Sequence, residues 1–198
     1  MAAVMTKAAW LIAPYAAWMV LMTVLPATAA GYAVRSAATA ALLAPTLYAW
    51  VAGGCRGFSK SLKWGVPAGL AVFAAWILPE QFGWEWYRRF FMFGEGGTQS
   101  LAETGTALLA VRLAGSAFVI AVAEELFFRR WLMGFAGFWW TVGLFAVEHD
   151  RWLAGAVAGA AYGFLCLRRG LGAAIAAHVT TNLVLGLWVL RTGQWQFW

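Results

Sequence analysis

Four side chains in the second half of this 198-residue chain have the types and spacing needed for hydrolysis: Glu124, His149, His178 and Asn182. Glutamate and histidine can take a proton from water, and imidazole and amide N–H groups can donate hydrogen bonds to a developing oxyanion. His178 and Asn182 are four residues apart, so a helix would place both on one face. The chain has only two histidines, and both belong to this set. The set therefore predicts a water-activating site.

Glu125 and Arg129 have the spacing of a helical ion pair. The acid precedes the base by four residues, which is the favoured orientation for such a pair. Glu124 points about 100° away from Glu125 around the helix axis, so its carboxylate need not be neutralised by Arg129. We therefore expect Glu124 to be free to take a proton from water.

Two other interpretations of these polar residues stay open. Polar pairs between helices can simply hold a membrane bundle together. Two histidines and a glutamate could also ligate zinc, which would make the site that of a zinc-dependent protease. The HExxH pattern is absent, however, and Asn182 suits an oxyanion better than a metal.

Composition places these residues in a membrane protein. The chain is 63% hydrophobic and 11% charged, which leaves too little polar surface for a soluble domain. The net charge is +6, but the basic residues form short clusters between apolar runs, as cytoplasmic loops do. The predicted environment is a lipid bilayer, and no nucleic-acid partner is expected.

The apolar runs predict an all-α polytopic transmembrane bundle of about seven helices. The predicted spans are 7–35, 35–56, Trp64–Pro79, Ala107–Phe135, Trp139–Val147, Trp152–Leu167 and Leu171–Leu190. The segment 80–100 is aromatic and polar, so we expect it to lie along the membrane interface, the alternative being a mobile lid. We divide the chain into amino-terminal helices with this segment, 1–106, and a catalytic bundle, 107–198.

The basic loops predict the orientation. Arg56, Lys60 and Lys63 share one loop, and Arg168 and Arg169 share another that seven-span parity places on the same side. Positively charged loops are cytoplasmic as a rule, so the amino terminus is predicted inside. Two arginines of the interfacial segment fall on the outer side and count against this orientation. The predicted localisation is a multi-pass protein of a bacterial inner membrane.

Depth along the helices predicts that the polar groups converge. A tight turn near Gly137 would put Glu124 and His149 at equal depth, each about 19 Å of helix from the turn. A helix that starts after Gly170 would carry His178 to about 12 Å, which is within roughly one turn of the same level. Groups from three helices would then meet in one pocket. There Glu124 and His149 would hold a water between them, with hydrogen-bond donors opposite.

Three motifs follow one another on successive apolar segments: EExxxR at 124–129, FxxxH at 145–149 and HxxxN at 178–182. Together they resemble the CPBP family of intramembrane glutamate proteases, which includes the CAAX prenyl endopeptidases and bacteriocin-processing proteins. The resemblance covers Ala107–Trp198. The tail from Asp150 onward is most similar to CAAX protease-related proteins that accompany exosortase and other C-terminal sorting systems.

The resemblance implies six catalytic-site residues, Glu124, Glu125, Arg129, His149, His178 and Asn182. The first glutamate and the first histidine would activate water, the second histidine and the asparagine would stabilise the oxyanion, and the second glutamate and the arginine would order the site. The implied activity is hydrolysis of a peptide bond near the C-terminus of a membrane-anchored protein or peptide, without a covalent intermediate, a cofactor or a metal.

Two departures from the family pattern keep other functions open. Arg130 stands where a glycine commonly follows the motif arginine, and the 130–145 connection is short. A malformed pocket would leave an inactive scaffold or an immunity-type protein that binds a peptide without cutting it. A proton-coupled carrier is a further alternative, but the two halves show no inverted repeat.

Overall fold

The computed structural model describes residues 2–53, 57–93 and 105–197. The described part of the chain contains eight helices and no strand, which confirms the all-α helical bundle. The helices are α1 (Ala2–Val24), α2 (Ala29–Ala52), α3 (Phe58–Gln81), α4 (Glu85–Phe91), α5 (Thr106–Ala136), α6 (Phe138–Val147), α7 (Trp152–Arg169) and α8 (Leu171–Thr192). Seven of them correspond to the predicted spans, and α4 lies in the predicted interfacial segment. The predicted boundary at Arg35 was wrong, because α2 begins at Ala29 and contains Arg35. The described residues do not include Arg56, which was used to predict the orientation, or residues 94–104, which contain the end of the predicted interfacial segment.

Three helices are long and apolar enough to cross a membrane: α3, α5 and α8. Ala8–Val24 and α6 are apolar but shorter. Helix α6 has 10 residues, so it rises only about 15 Å, half the thickness of a hydrocarbon core. The predicted bounds of α6, Trp139–Val147, are therefore confirmed to within one residue, but a helix of this length is too short to cross a bilayer by itself. The chain is a membrane protein with a short helix leading to His149.

Small residues allow the helices around the site to pack closely. On α7, a Cβ at Gly155 or Gly159 would meet α6 atoms at 3.2 Å, and one at Gly163 would meet the Phe138 ring at 2.8 Å. The stripe that these three glycines form is thus a packing surface, as its spacing predicts. On α3, a Cβ at Gly69 would lie 2.4 Å from the backbone oxygen of Ala177 on α8.

Substituting Gly69 with alanine is expected to destabilise the bundle by about 1–3 kcal/mol, because α3 and α8 would be forced apart by overpacking. Gly134→Ala is the matched control, since a Cβ there has no neighbouring atom within 4 Å. Thermal unfolding in detergent measures both variants. Equal midpoints for Gly69→Ala and wild type would show that the α3–α8 contact is not tight.

The turn between α5 and α6 is made by Gly137, whose φ is 83°. This left-handed conformation suits glycine, which has no Cβ to clash. The predicted hairpin therefore forms where it was expected, and it returns α6 alongside the carboxyl-terminal half of α5. Helix α8 follows Gly170, so the three motif segments are brought side by side.

Candidate active site

A buried ion pair forms the base of the site. Arg129 Nε lies 3.3 Å from Glu125 Oε2, and both side chains have 0% exposure. The guanidinium also lies over the Phe145 ring, 4.7 Å from its centroid. The structure thus contains the ion pair predicted from spacing. It lies in a π-helical part of α5, Glu125–Leu132, a local widening that the sequence argument, based on regular α-helix, did not foresee.

His178 lies between the two adjacent glutamates. Its Nδ1 is 3.0 Å from Glu125 Oε1, and its Nε2 is 3.5 Å from Glu124 Oε2. The imidazole stacks on Tyr162, with ring centroids 4.7 Å apart and planes at 20°. The two glutamates at its edges and Tyr162 on one face therefore fix the position of the His178 ring. His178, expected to donate to an oxyanion, thus lies against Glu124, expected to be the base. The spacing of the HxxxN motif alone does not predict this contact.

His149 follows the short helix α6 and is held by that helix. Its Nδ1 lies 2.7 Å from the Phe145 carbonyl oxygen, so Nδ1–H donates and Nε2 keeps its lone pair. The ring packs against Phe145 at 4.7 Å and against Trp76 at 5.4 Å. Burial lowers the pKa of His149 to about 4, although the hydrogen bond to Phe145 opposes this shift. The imidazole is therefore neutral at pH 7 and able to accept a proton.

A cavity of about 220 Å³ lies beside these groups. His149, His178 and Asn182 all line it, together with Ser116 and Thr181. The remaining lining residues are aromatic or aliphatic, so a few polar groups face an otherwise apolar space, as in small-ligand sites.

Asn182 is anchored across the cavity. Its Nδ2 donates a hydrogen bond of 2.9 Å to the Ser116 carbonyl on α5, which leaves the second amide hydrogen for another acceptor. The preceding residue, Thr181, donates to the Gly69 carbonyl at 2.9 Å and accepts a bond of 2.8 Å from Tyr162. These bonds tie α8 to α3, α5 and α7, and so fix the face that carries His178 and Asn182.

The sequence argument missed two residues next to the site. Donor atoms of Glu124, Glu148 and His149 all lie within 4.8 Å of one another. Glu148 in turn accepts a hydrogen bond from the Tyr15 hydroxyl of α1. Burial raises the pKa of Glu148 to about 7, against the effect of that hydrogen bond. Glu148 could have been suspected from its position beside His149, whereas nothing in the sequence links Tyr15 to the site.

These three residues are also the groups that could hold a metal ion in the described part of the chain. The zinc alternative drawn from sequence used both histidines and a glutamate. The structure brings together a different set, with Glu148 in place of His178. Two carboxylates and one imidazole are an acceptable donor set for zinc.

Comparison with known families agrees with this arrangement of helices. The model of the Rce1-like family, described as type II CAAX prenyl endopeptidase Rce1-like, matches residues 105–184. No curated protein and no solved structure matches the chain. The matched segment covers α5 to most of α8 and contains all three motifs.

The long apolar helices are those of a membrane protein, and the match relates its carboxyl-terminal part to CAAX-type intramembrane proteases. The match of residues 105–184 to the Rce1-like family model confirms the predicted resemblance at family level. The narrower similarity to proteins that accompany exosortase stays a prediction. Helices α1 to α4 precede the matched segment, yet α1 supplies Tyr15 to the neighbourhood of the site.

Proposed function

We propose that this protein is an intramembrane glutamate-type endopeptidase that hydrolyses a peptide bond near the C-terminus of a membrane-anchored protein or peptide. The observation that supports it most is the convergence of Glu124, His149 and His178 from α5, the α6–α7 connection and α8. The two histidines line the cavity and Glu124 lies next to them, and glutamate and imidazole side chains placed together in this way can activate water. The family match supports the same class of reaction.

In the proposed mechanism a water molecule binds between Glu124 and His149. Glu124 takes one proton as the water oxygen forms a bond to the scissile carbonyl carbon. The negative charge moves to the carbonyl oxygen, where N–H groups of His178 and Asn182 donate hydrogen bonds. The C–N bond then breaks as Glu124 returns the proton to the leaving nitrogen. No bond forms between the enzyme and the substrate.

Glu125 and Arg129 act on this reaction by fixing His178. The Glu125 carboxylate accepts from the Nδ1–H of His178, and Nε2, which faces Glu124, also carries a hydrogen when the ring is in its protonated form. Arg129 neutralises the charge of Glu125 in a region from which water is excluded. The hydrogen bond at one nitrogen of an imidazole influences whether the other nitrogen is protonated. The Glu125–Arg129 pair therefore influences whether Nε2 of His178 can donate a hydrogen bond.

The substrate that fits this site is a membrane-associated chain whose extended C-terminal segment enters the cavity. The lining is mostly apolar, and it suits apolar side chains beside the cleaved bond. We further propose that the protein lies in a bacterial inner membrane with its amino terminus inside. This orientation rests on the basic residues Lys60 and Lys63 at the start of α3 and Arg168 and Arg169 at the end of α7.

Reconstituted protein should process membrane-anchored peptides in the presence of a strong chelator. The test uses a panel of peptides with and without a prenyl group, and mass spectrometry locates the cut. We expect a product shortened close to the carboxyl terminus at an undiminished rate with chelator. Loss of activity on chelation, restored by zinc, would favour the zinc-dependent alternative.

A peptide-binding scaffold without activity is the second candidate. Glu124 and His178 face each other, and Asn182 is bonded to Ser116, so each polar group has a partner within the bundle. Groups satisfied in this way can stabilise a bundle without catalysing a reaction. Saturable binding of a peptide that is never cleaved, in wild type and in Glu124→Gln alike, would favour this candidate.

A further inference from the structure

Glu124, Glu148 and His149 form a three-donor cluster, called here the carboxylate–imidazole cluster. Their donor atoms lie within 4.8 Å of one another. Donor atoms around a tetrahedral zinc ion stand roughly 3.3 Å apart, because each zinc–ligand bond is about 2.0–2.2 Å long. To bind such an ion the donor atoms would have to move closer together by up to about 1.5 Å. The cluster is therefore near the geometry that a transition metal requires.

The groups around the cluster are those that orient metal ligands. The Nδ1 of His149 is hydrogen-bonded to the Phe145 carbonyl, so a metal would have to be bound by the lone pair of Nε2. Glu148 is held by the Tyr15 hydroxyl, and Tyr15 is itself fixed by stacking on Phe127 with ring centroids 4.5 Å apart. Two of the three donors are thus hydrogen-bonded to a residue outside the cluster: His149 to Phe145 of α6, and Glu148 to Tyr15 of α1.

Charge also favours a cation at this position. The cluster brings two carboxylates together, and the nearby guanidinium of Arg129 is paired with Glu125 instead. His178 lies 3.5 Å from Glu124 on the other side, so it can neutralise one carboxylate in part. Glu148 has no such counter-ion within salt-bridge range in the described residues other than His149, whose Nδ1 is 4.0 Å away. A divalent ion would neutralise both acids at once.

We propose that the carboxylate–imidazole cluster binds a divalent transition-metal ion, Zn²⁺ in particular, and that the bound ion inhibits hydrolysis. The inhibitory part rests on the proposed function, because a metal bound to Glu124 takes away the lone pair that would accept the proton of water. Glu125 cannot replace it, since that carboxylate is bonded to Arg129 and His178. The metal-bound form would therefore lack a base.

Metal binding is tested by titrating Zn²⁺ into chelator-free protein in detergent, followed by calorimetry. Glu148→Gln removes one ligand and is expected to weaken Zn²⁺ binding at least about tenfold. Tyr15→Phe keeps the ring but loses the hydrogen bond to Glu148, and it should weaken Zn²⁺ binding by roughly tenfold. The matched control is Glu85→Gln, the same substitution at an exposed position on α4, which should leave the affinity unchanged. Equal Zn²⁺ affinities for wild type and Glu148→Gln would overturn the site.

Inhibition is tested separately by measuring peptide cleavage against free Zn²⁺ concentration. We expect the wild-type rate to fall over the concentrations at which calorimetry detects binding, and to recover fully when a chelator is added. For Glu148→Gln, the Zn²⁺ concentration that halves the variant's own rate should be at least about tenfold higher than for wild type. Activation by Zn²⁺ would overturn the inhibitory role. If wild type cleaves no peptide, the proposed function has failed, while calorimetry still decides the metal site.

Discussion

Replacing Glu124 with glutamine is expected to slow peptide hydrolysis by roughly 10²–10⁴-fold, because general-base catalysis contributes a factor of that size. Glutamine has nearly the same shape, so it can keep the contact with His178 while losing the ability to take a proton from water. Initial rates of product formation in proteoliposomes measure the effect. The loss should appear in the turnover rate, and substrate binding should change little.

The matched control for this prediction is Glu85→Gln on the exposed face of α4, which should retain the wild-type rate. Thermal unfolding of Glu124→Gln checks that the bundle is intact. A folded Glu124→Gln protein that cleaves at more than about a tenth of the wild-type rate would show that another group activates the water.

Replacing Arg129 with methionine is expected to destabilise the protein by about 3–5 kcal/mol, the usual cost of removing one partner of a buried ion pair. Glu125 would then be a buried carboxylate without its guanidinium, since both side chains have no exposed surface. The packing of Arg129 on Phe145 would be lost as well. Unfolding in detergent, followed by tryptophan fluorescence, measures the change.

Arg130→Met provides the control for Arg129→Met, because Arg130 is the next residue on α5 and its side chain is exposed. It should change the free energy of unfolding by less than about 0.5 kcal/mol, as surface substitutions do. Similar losses in the two variants would show that the buried ion pair does not hold this part of α5 in place.

Much of the fold follows from the sequence because apolar runs determine where helices form. The spans that ended at Pro79 and Val147 and the turn at Gly137 were each recovered within a few residues. Local spacing likewise predicted the Glu125–Arg129 ion pair, since residues four apart on a helix are neighbours. Depth counted from the helix ends predicted that Glu124 and His178 would come close together.

The remaining features depend on contacts between residues far apart in the chain, which spacing cannot supply. The hydrogen bond from Tyr15 to Glu148 joins positions separated by 133 residues. The insertion of His178 between Glu124 and Glu125 depends on how α8 is rotated against the widened part of α5. For the same reason the sequence argument considered both histidines and a glutamate as zinc ligands and did not foresee that Glu148 lies beside Glu124 and His149 in the folded bundle.

The most direct test of the central claim, that Glu124 activates water for peptide hydrolysis, compares wild type and Glu124→Gln on one membrane-anchored peptide. Both proteins are reconstituted at equal density, a chelator is present, and mass spectrometry follows the products over time. The account predicts a peptide shortened near its carboxyl terminus with wild type, and at most about a hundredth of that rate with Glu124→Gln. Equal rates of the same product with both proteins would contradict it.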